Sequence, residues 1–101
     1  PMFFGVAGEM LEALNRIGRT PKVLILRMDL VPYIDASGAA VLESFVKQAK
    51  TSGTQVILCE LRDKPWAFLA HLHPRFSGAA RTSSFDRALA RAAKYLAASN
   101  A

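Results

Sequence analysis

The sequence predicts an α/β domain built around one sheet, and three observations lead there. Two short runs, Val23-Leu24-Ile25-Leu26-Arg27-Met28 and Val56-Ile57-Leu58-Cys59, are almost continuously apolar and of strand length, the pattern of strands covered on both faces. Between them, Ala39, Ala40, Leu42, Val46 and Ala49 recur at helical spacing. The chain has 101 residues, of which 51% are hydrophobic, enough for one domain with its own core.

Taken in order, Val6, Met10, Leu11, Leu14 and Ile17 give residues 6 to 17 an apolar helical stripe, and Gly18 is the natural stop. Thr20-Pro21 leads into the first strand, Lys22 to Met28, which is predicted to be central. A helix from about Ala36 to Thr51 follows, with Glu43 and Lys47 forming an i,i+4 pair in the better orientation. Ser52-Gly53 ends it, and Thr54 to Leu61 reads as the next strand, parallel to the first through a right-handed crossover. Asp63 or Lys64 caps a helix with Pro65 in its first turn, and Pro74 stops that helix by His73. A loop or short strand spans Phe76 to Thr82. Ser83 and Asp86 then resemble a capping box opening a last helix, whose stripe is Phe85, Leu89, Ala92, Ala93 and Leu96.

The chemistry of the sequence is mostly negative. It has no Gly-rich phosphate loop, dinucleotide fingerprint, His-Glu-x-x-His, Cys-x-x-Cys or nucleophile elbow, so neither catalysis nor a cofactor is expected. His71 and His73 sit two apart near a helix end, on different faces, and are expected to meet the last carbonyls rather than a metal. Phe45, Trp66 and Phe68 are assigned to the core or to a subunit contact. The 13 basic and 8 acidic residues leave a net charge of +5, but the basic positions are scattered and form no nucleic-acid arm. Nucleotide binding rests only on that charge and a helix N-terminus. The single cysteine, Cys59, lies in an apolar run and suits a reducing compartment. No stretch reaches the ~18 apolar residues of a membrane span, and Pro1-Met2-Phe3-Phe4 lacks the basic start of a signal peptide.

One junction stands apart: Val31-Pro32-Tyr33-Ile34-Asp35-Ala36-Ser37-Gly38 passes from a strand exit into a helix N-terminus. Asp35 has the chemistry of an N-cap, and Gly38 permits close approach of another backbone. Ser37 falls in the first turn, where a hydroxyl can face a partner and a phosphate would meet helix amides, opposed somewhat by Asp35.

This segment resembles the Asp-[Ala/Ser]-[Ser/Thr]-Gly signature of the STAS domain, named for sulfate transporters and anti-sigma factor antagonists. The preceding strand, Gly53 before Val56 to Cys59, and the closing Phe85 with Ala88-Leu89 fit the same family order. The resemblance implies a small mixed β-sheet with helices mainly on one face. Pro1-Met2-Phe3-Phe4-Gly5-Val6-Ala7 and Leu26 to Pro32 are similar to the sulfate permease (SulP) branch, in which the domain hangs at the cytoplasmic end of an anion transporter. That branch implies a non-catalytic domain whose partners are its own transmembrane part, a second copy and a cytosolic regulator, with Asp35, Ser37 and Gly38 as the contact surface. In the stand-alone antagonists, the position matching Ser37 is instead a phosphorylated switch. The family's first strand is expected to be missing, so that 1 to 101 is one N-terminally truncated domain, with an exposed edge beside Phe3-Phe4 that promotes pairing between copies.

Overall fold

The computed structural model describes residues 16, 18, 20–31, 33–73 and 79–99. They form strand β1 (Val23–Arg27), helix α1 (Ala36–Thr51), strand β2 (Gln55–Cys59), helix α2 (Asp63–Leu72), strand β3 (Ala79–Thr82) and helix α3 (Phe85–Ser99), the alternation the sequence predicts from residue 22 onward. The helix predicted over 6 to 17 and the Phe3-Phe4 segment lie outside the described residues. Of that region Arg16 is helical, and Gly18 has the left-handed φ of 71° expected at a helix stop.

The strands are parallel in the order β1-β2-β3, with Ile25 opposite Ile57 and Leu58 opposite Arg81. Among the described residues β2, not β1, is therefore central. The exposures follow: Val56, Ile57, Leu58 and Cys59 are fully buried, whereas Val23, Leu24 and Ile25 are only half-buried. An antiparallel strand, which a mixed sheet contains, is not among the described residues.

Strand alternation divides the core in two. Leu24, Leu26, Val56 and Leu58 pack with Leu42, Phe45 and Val46 of α1 and Leu69 of α2. Val23, Ile25, Ile57 and Cys59 face Phe85, Ala88, Ala92 and Tyr95 of α3. Two helices thus cover one face and the third covers the other. Within α1 the buried stripe is Gly38, Ala39, Leu42, Phe45 and Val46; Ala40 is exposed and Ala49 half-buried, and Phe45 takes the core place assigned to it.

Several boundaries differ from expectation for local reasons. The strands stop short of Met28 and Leu61: after its N–H donates to the Cys59 carbonyl, Met28 opens the turn closed by the Val31 N–H, and Glu60 leaves extended geometry at φ 60°. Arg62 caps α2, without a side-chain bond, and Asp63 is the first helical residue. At α3 the cap is Ser84, whose Oγ accepts from Arg87 N at 3.2 Å; Arg87 stands where a capping box needs an acid, so the predicted Ser83–Asp86 box does not form. Gly53 ends α1 as predicted: at φ 88° its N–H reaches the Lys50 carbonyl at 3.0 Å, and the Thr54 N–H reaches that of Ala49 at 2.8 Å.

Cys59 is fully buried, and desolvation, with the nearby Glu60 carboxylate, pushes its thiol pKa up, opposed by a hydrogen bond with Thr82. A raised folded-state pKa means that, above the ordinary thiol value, the unfolded chain loses a proton that the folded chain keeps. Stability from this group is present below that value and lost as pH rises through it. Alkylation by iodoacetamide in the folded state is expected to be slow and to track global unfolding in urea; fast native-state labelling would contradict this burial.

Candidate functional site

The β1–α1 connection is held at both ends by buried side chains. Met28 is 2% exposed and Ile34 5%, both in the core shared with α1 and α2. Between them the Val31 N–H donates to the Met28 carbonyl at 3.1 Å, closing a turn over Asp29 and Leu30. An Arg62 guanidinium N–H donates to the Asp29 carbonyl at 3.4 Å, tying the turn to the start of α2. With the polar backbone engaged and the two anchors inside, Leu30 and Tyr33 are left in solvent at 88% and 51% exposure.

Asp35 then ends the connection in extended geometry, with φ −84° and ψ 177°. Its carboxylate accepts from Gly38 N at 2.7 Å, and its carbonyl accepts from Ala39 N at 2.9 Å. The sequence assigned Asp35 this cap, and the geometry is that of an N-cap. Gly38 is buried, while Ser37 is exposed on the first turn, and its hydroxyl makes no hydrogen bond among the described residues. The three candidate residues are thus one unit: a cap, an outward hydroxyl and a buried glycine that takes the cap bond. Asp35→Ala is expected to lower stability by about 1 kcal/mol, read from the urea midpoint at unchanged m-value, whereas Asp35→Asn keeps most of it. Equal losses would show that the Gly38 bond contributes little.

Leu30 and Tyr33 were missed as surface features from the sequence. The available signal was a leucine and a tyrosine inside a connection whose flanking apolar residues suffice to anchor it. His71 lies in the last turn of α2, but the His73 side chain pairs through Nδ1 with Glu43 of α1, and Glu43 also meets Lys47 Nζ at 3.2 Å. The His73 side chain thereby joins α1 to α2, because α1 brings a carboxylate to the helix end, and only the His73 backbone N–H meets an α2 carbonyl, that of Leu69 at 2.9 Å. No group of three or more His, Cys, Asp or Glu able to hold a metal occurs among the described residues. Phe45 is core, Trp66 is half-buried under the Arg81 guanidinium at 5.1 Å, and Phe68 is exposed, so these rings line no common cleft.

The fold agrees with what the comparisons find. The family model described as STAS domain matches residues 1–72. The chain belongs to the STAS domain family. A crystal structure of a sulfate transporter family protein from Wolinella succinogenes is similar to this STAS domain at 35% identity and a TM-score of 0.80, covering 95% of this chain and 80% of that one. That likeness extends beyond the family match to β3 and α3. No curated protein matches the chain. Among the described residues, no helix is long and apolar enough to cross a membrane.

Proposed function

We propose that this is the non-catalytic STAS domain of a bacterial SulP-type anion transporter, lying on the cytoplasmic side of the inner membrane as part of a longer protein. It acts by contact, with the transmembrane part of the same transporter and with a second copy or a cytosolic regulator, and supports transport, assembly or regulation. The observation that carries this reading is the 35% identity to a sulfate transporter family protein across 95% of the chain. The contact surface is Asp35 and Ser37 at the head of α1, with Gly38 buried beneath them holding the Asp35 carboxylate, and it is flanked in sequence by exposed Leu30 and Tyr33. An apolar anchor beside polar groups with free hydrogen-bonding capacity is the composition of a protein contact. The test is the coding sequence upstream of Pro1, which is expected to encode several apolar spans of about 20 residues. A start codon just before Pro1 would sink the proposal.

A second reading is favoured by Ser37 itself, exposed and with no side-chain partner among the described residues. In that case the domain is an anti-sigma factor antagonist switched by phosphorylation of Ser37. Incubation with a cognate anti-sigma kinase and ATP, followed by mass spectrometry, separates the two: phosphate on Ser37 with loss of kinase binding supports the switch, and an unmodified Ser37 supports the transporter reading.

A further inference from the structure

The two ends of the sheet differ in charge. Because the strands are parallel and the helices return between them, every strand exit and every helix start lies at one end. Among the described residues, Asp29 and Glu60 follow β1 and β2, and Asp35, Asp63 and Asp86 stand at the starts of α1, α2 and α3. The remaining described carboxylate is Glu43, midway along α1. The opposite end, where strands begin and helices stop, therefore has no carboxylate side chain among the described residues.

Cations gather there instead. The Gln55 N–H donates to the Lys22 carbonyl at 2.9 Å, and the Thr54 hydroxyl donates to the Pro21 carbonyl, which draws the start of β1 against the turn that follows Lys50. Lys22 and Lys50, far apart in sequence, thus share one surface, and Lys47 lies one turn back along α1. All three are exposed, as is Arg16 in the chain ahead of Lys22. Lys47 pairs with Glu43 at 3.2 Å, but its side chain stays 75% exposed, and such a screened pair holds little of its charge back. Between the cations the exposed residues are short: Gly18, Thr20, Ser52 and Gly53. Long basic side chains above short neutral ones reach a common plane, and that suits an extended anionic surface better than a compact ligand.

We propose that this end of the domain lies on the anionic headgroups of a phospholipid bilayer through Lys22, Lys47 and Lys50, with Arg16 beside them. Resting on the transporter reading, which puts a bilayer next to the domain, the contact sets an orientation. Ser37 and Lys50 are about 20 Å apart along α1, so Ser37 is held at the far end from the headgroups. Its surface stays open to a cytosolic regulator while the domain is docked.

At low ionic strength the chain is expected to co-sediment with vesicles of phosphatidylglycerol and phosphatidylcholine in equal parts but not with phosphatidylcholine alone. Salt at about 0.5 M, which screens charges beyond a few ångströms, should release it. A basic residue beside an anionic surface strengthens partition roughly fivefold, so Lys22→Ala with Lys50→Ala should weaken binding by at least about tenfold. Arg87→Ala with Arg91→Ala removes the same charge from α3 and should leave binding nearly unchanged. Circular dichroism confirms the fold of each variant. On bicelles of the same lipids, a headgroup nitroxide should broaden the amides of Lys50, Ser52 and Gln55 more than those of Ser37 and Gly38. Equal losses from the two pairs would overturn the proposal, since binding would then follow net charge alone. So would broadening strongest at Ser37, absence of vesicle binding at low salt, or tighter binding to duplex DNA than to vesicles, which would assign the end to nucleic acid. The transporter reading is decided by the upstream coding sequence instead, so either can fail without the other.

Discussion

Phe45→Ala is expected to destabilise the domain by about 3–5 kcal/mol, the largest effect of any single truncation considered for α1. Phe45 is 2% exposed, and it packs in the cluster that joins α1 to Leu26, Val56, Leu58 and Leu69. Its removal loses the transfer free energy of the ring and leaves a cavity bounded by strands whose positions are fixed by the ladder, so collapse around it is limited. Against the ~5–15 kcal/mol total typical of small domains, this is enough to leave a sizeable unfolded fraction at 37 °C. Urea unfolding followed by circular dichroism checks it. A loss below ~1.5 kcal/mol would mean that the site repacks, as volume-conserving swaps do, and Phe45→Leu would then be nearly neutral.

The same residue marks where the sequence was legible and where it was not. The periodicity of 36 to 51 and the two apolar runs specify α1, β1 and β2 to within a residue or two, because both faces of the sheet are covered and every inward position must be apolar. Periodicity does not say which strand is central. β1 and β2 carry equally apolar runs, and among the described residues it is the parallel pairing of the small strand Ala79–Thr82 with β2 that puts β2 in the middle. That strand is weak in sequence because it is four residues long and contains two alanines and an arginine. The Asp35 cap was legible, since an acid before an apolar helical stripe at a strand exit has few other uses. The α3 cap was misplaced by one residue because Ser83 and Ser84 are equivalent in sequence, and tertiary packing of Phe85 and Ala88 on the sheet decides which of them becomes the cap.

The basic end of the sheet was not legible for a different reason. Lys22, Lys47 and Lys50 look scattered in sequence; what gathers them is the backbone bond from Gln55 to Lys22, which the fold makes beside the end of α1. Glu60's left-handed backbone has no sequence marker, since glycine or asparagine is the usual occupant of that region.

Ile34→Ala is expected to cost about 2–4 kcal/mol and to act on the candidate site as well as on stability. Ile34 is 5% exposed and immediately precedes Asp35, so its side chain sets the direction from which the chain enters α1. Met28 anchors the other end of the connection, and the backbone bond from Met28 to the Cys59 carbonyl holds that end to the sheet independently. Losing the Ile34 anchor therefore frees the Asp35 end selectively. The Asp35–Gly38 bond should lengthen or break, and Gly38 amide exchange should accelerate more than exchange at β2. A double-mutant cycle of Ile34→Ala with Asp35→Ala tests the link: neighbours that share one structural job give a coupling above about 0.5 kcal/mol. Additive losses, with Gly38 exchange unchanged in Ile34→Ala, would show that the cap forms without the anchor. The Ser37 surface would then be positioned by α1 alone, and Leu30 and Tyr33 would move independently of it.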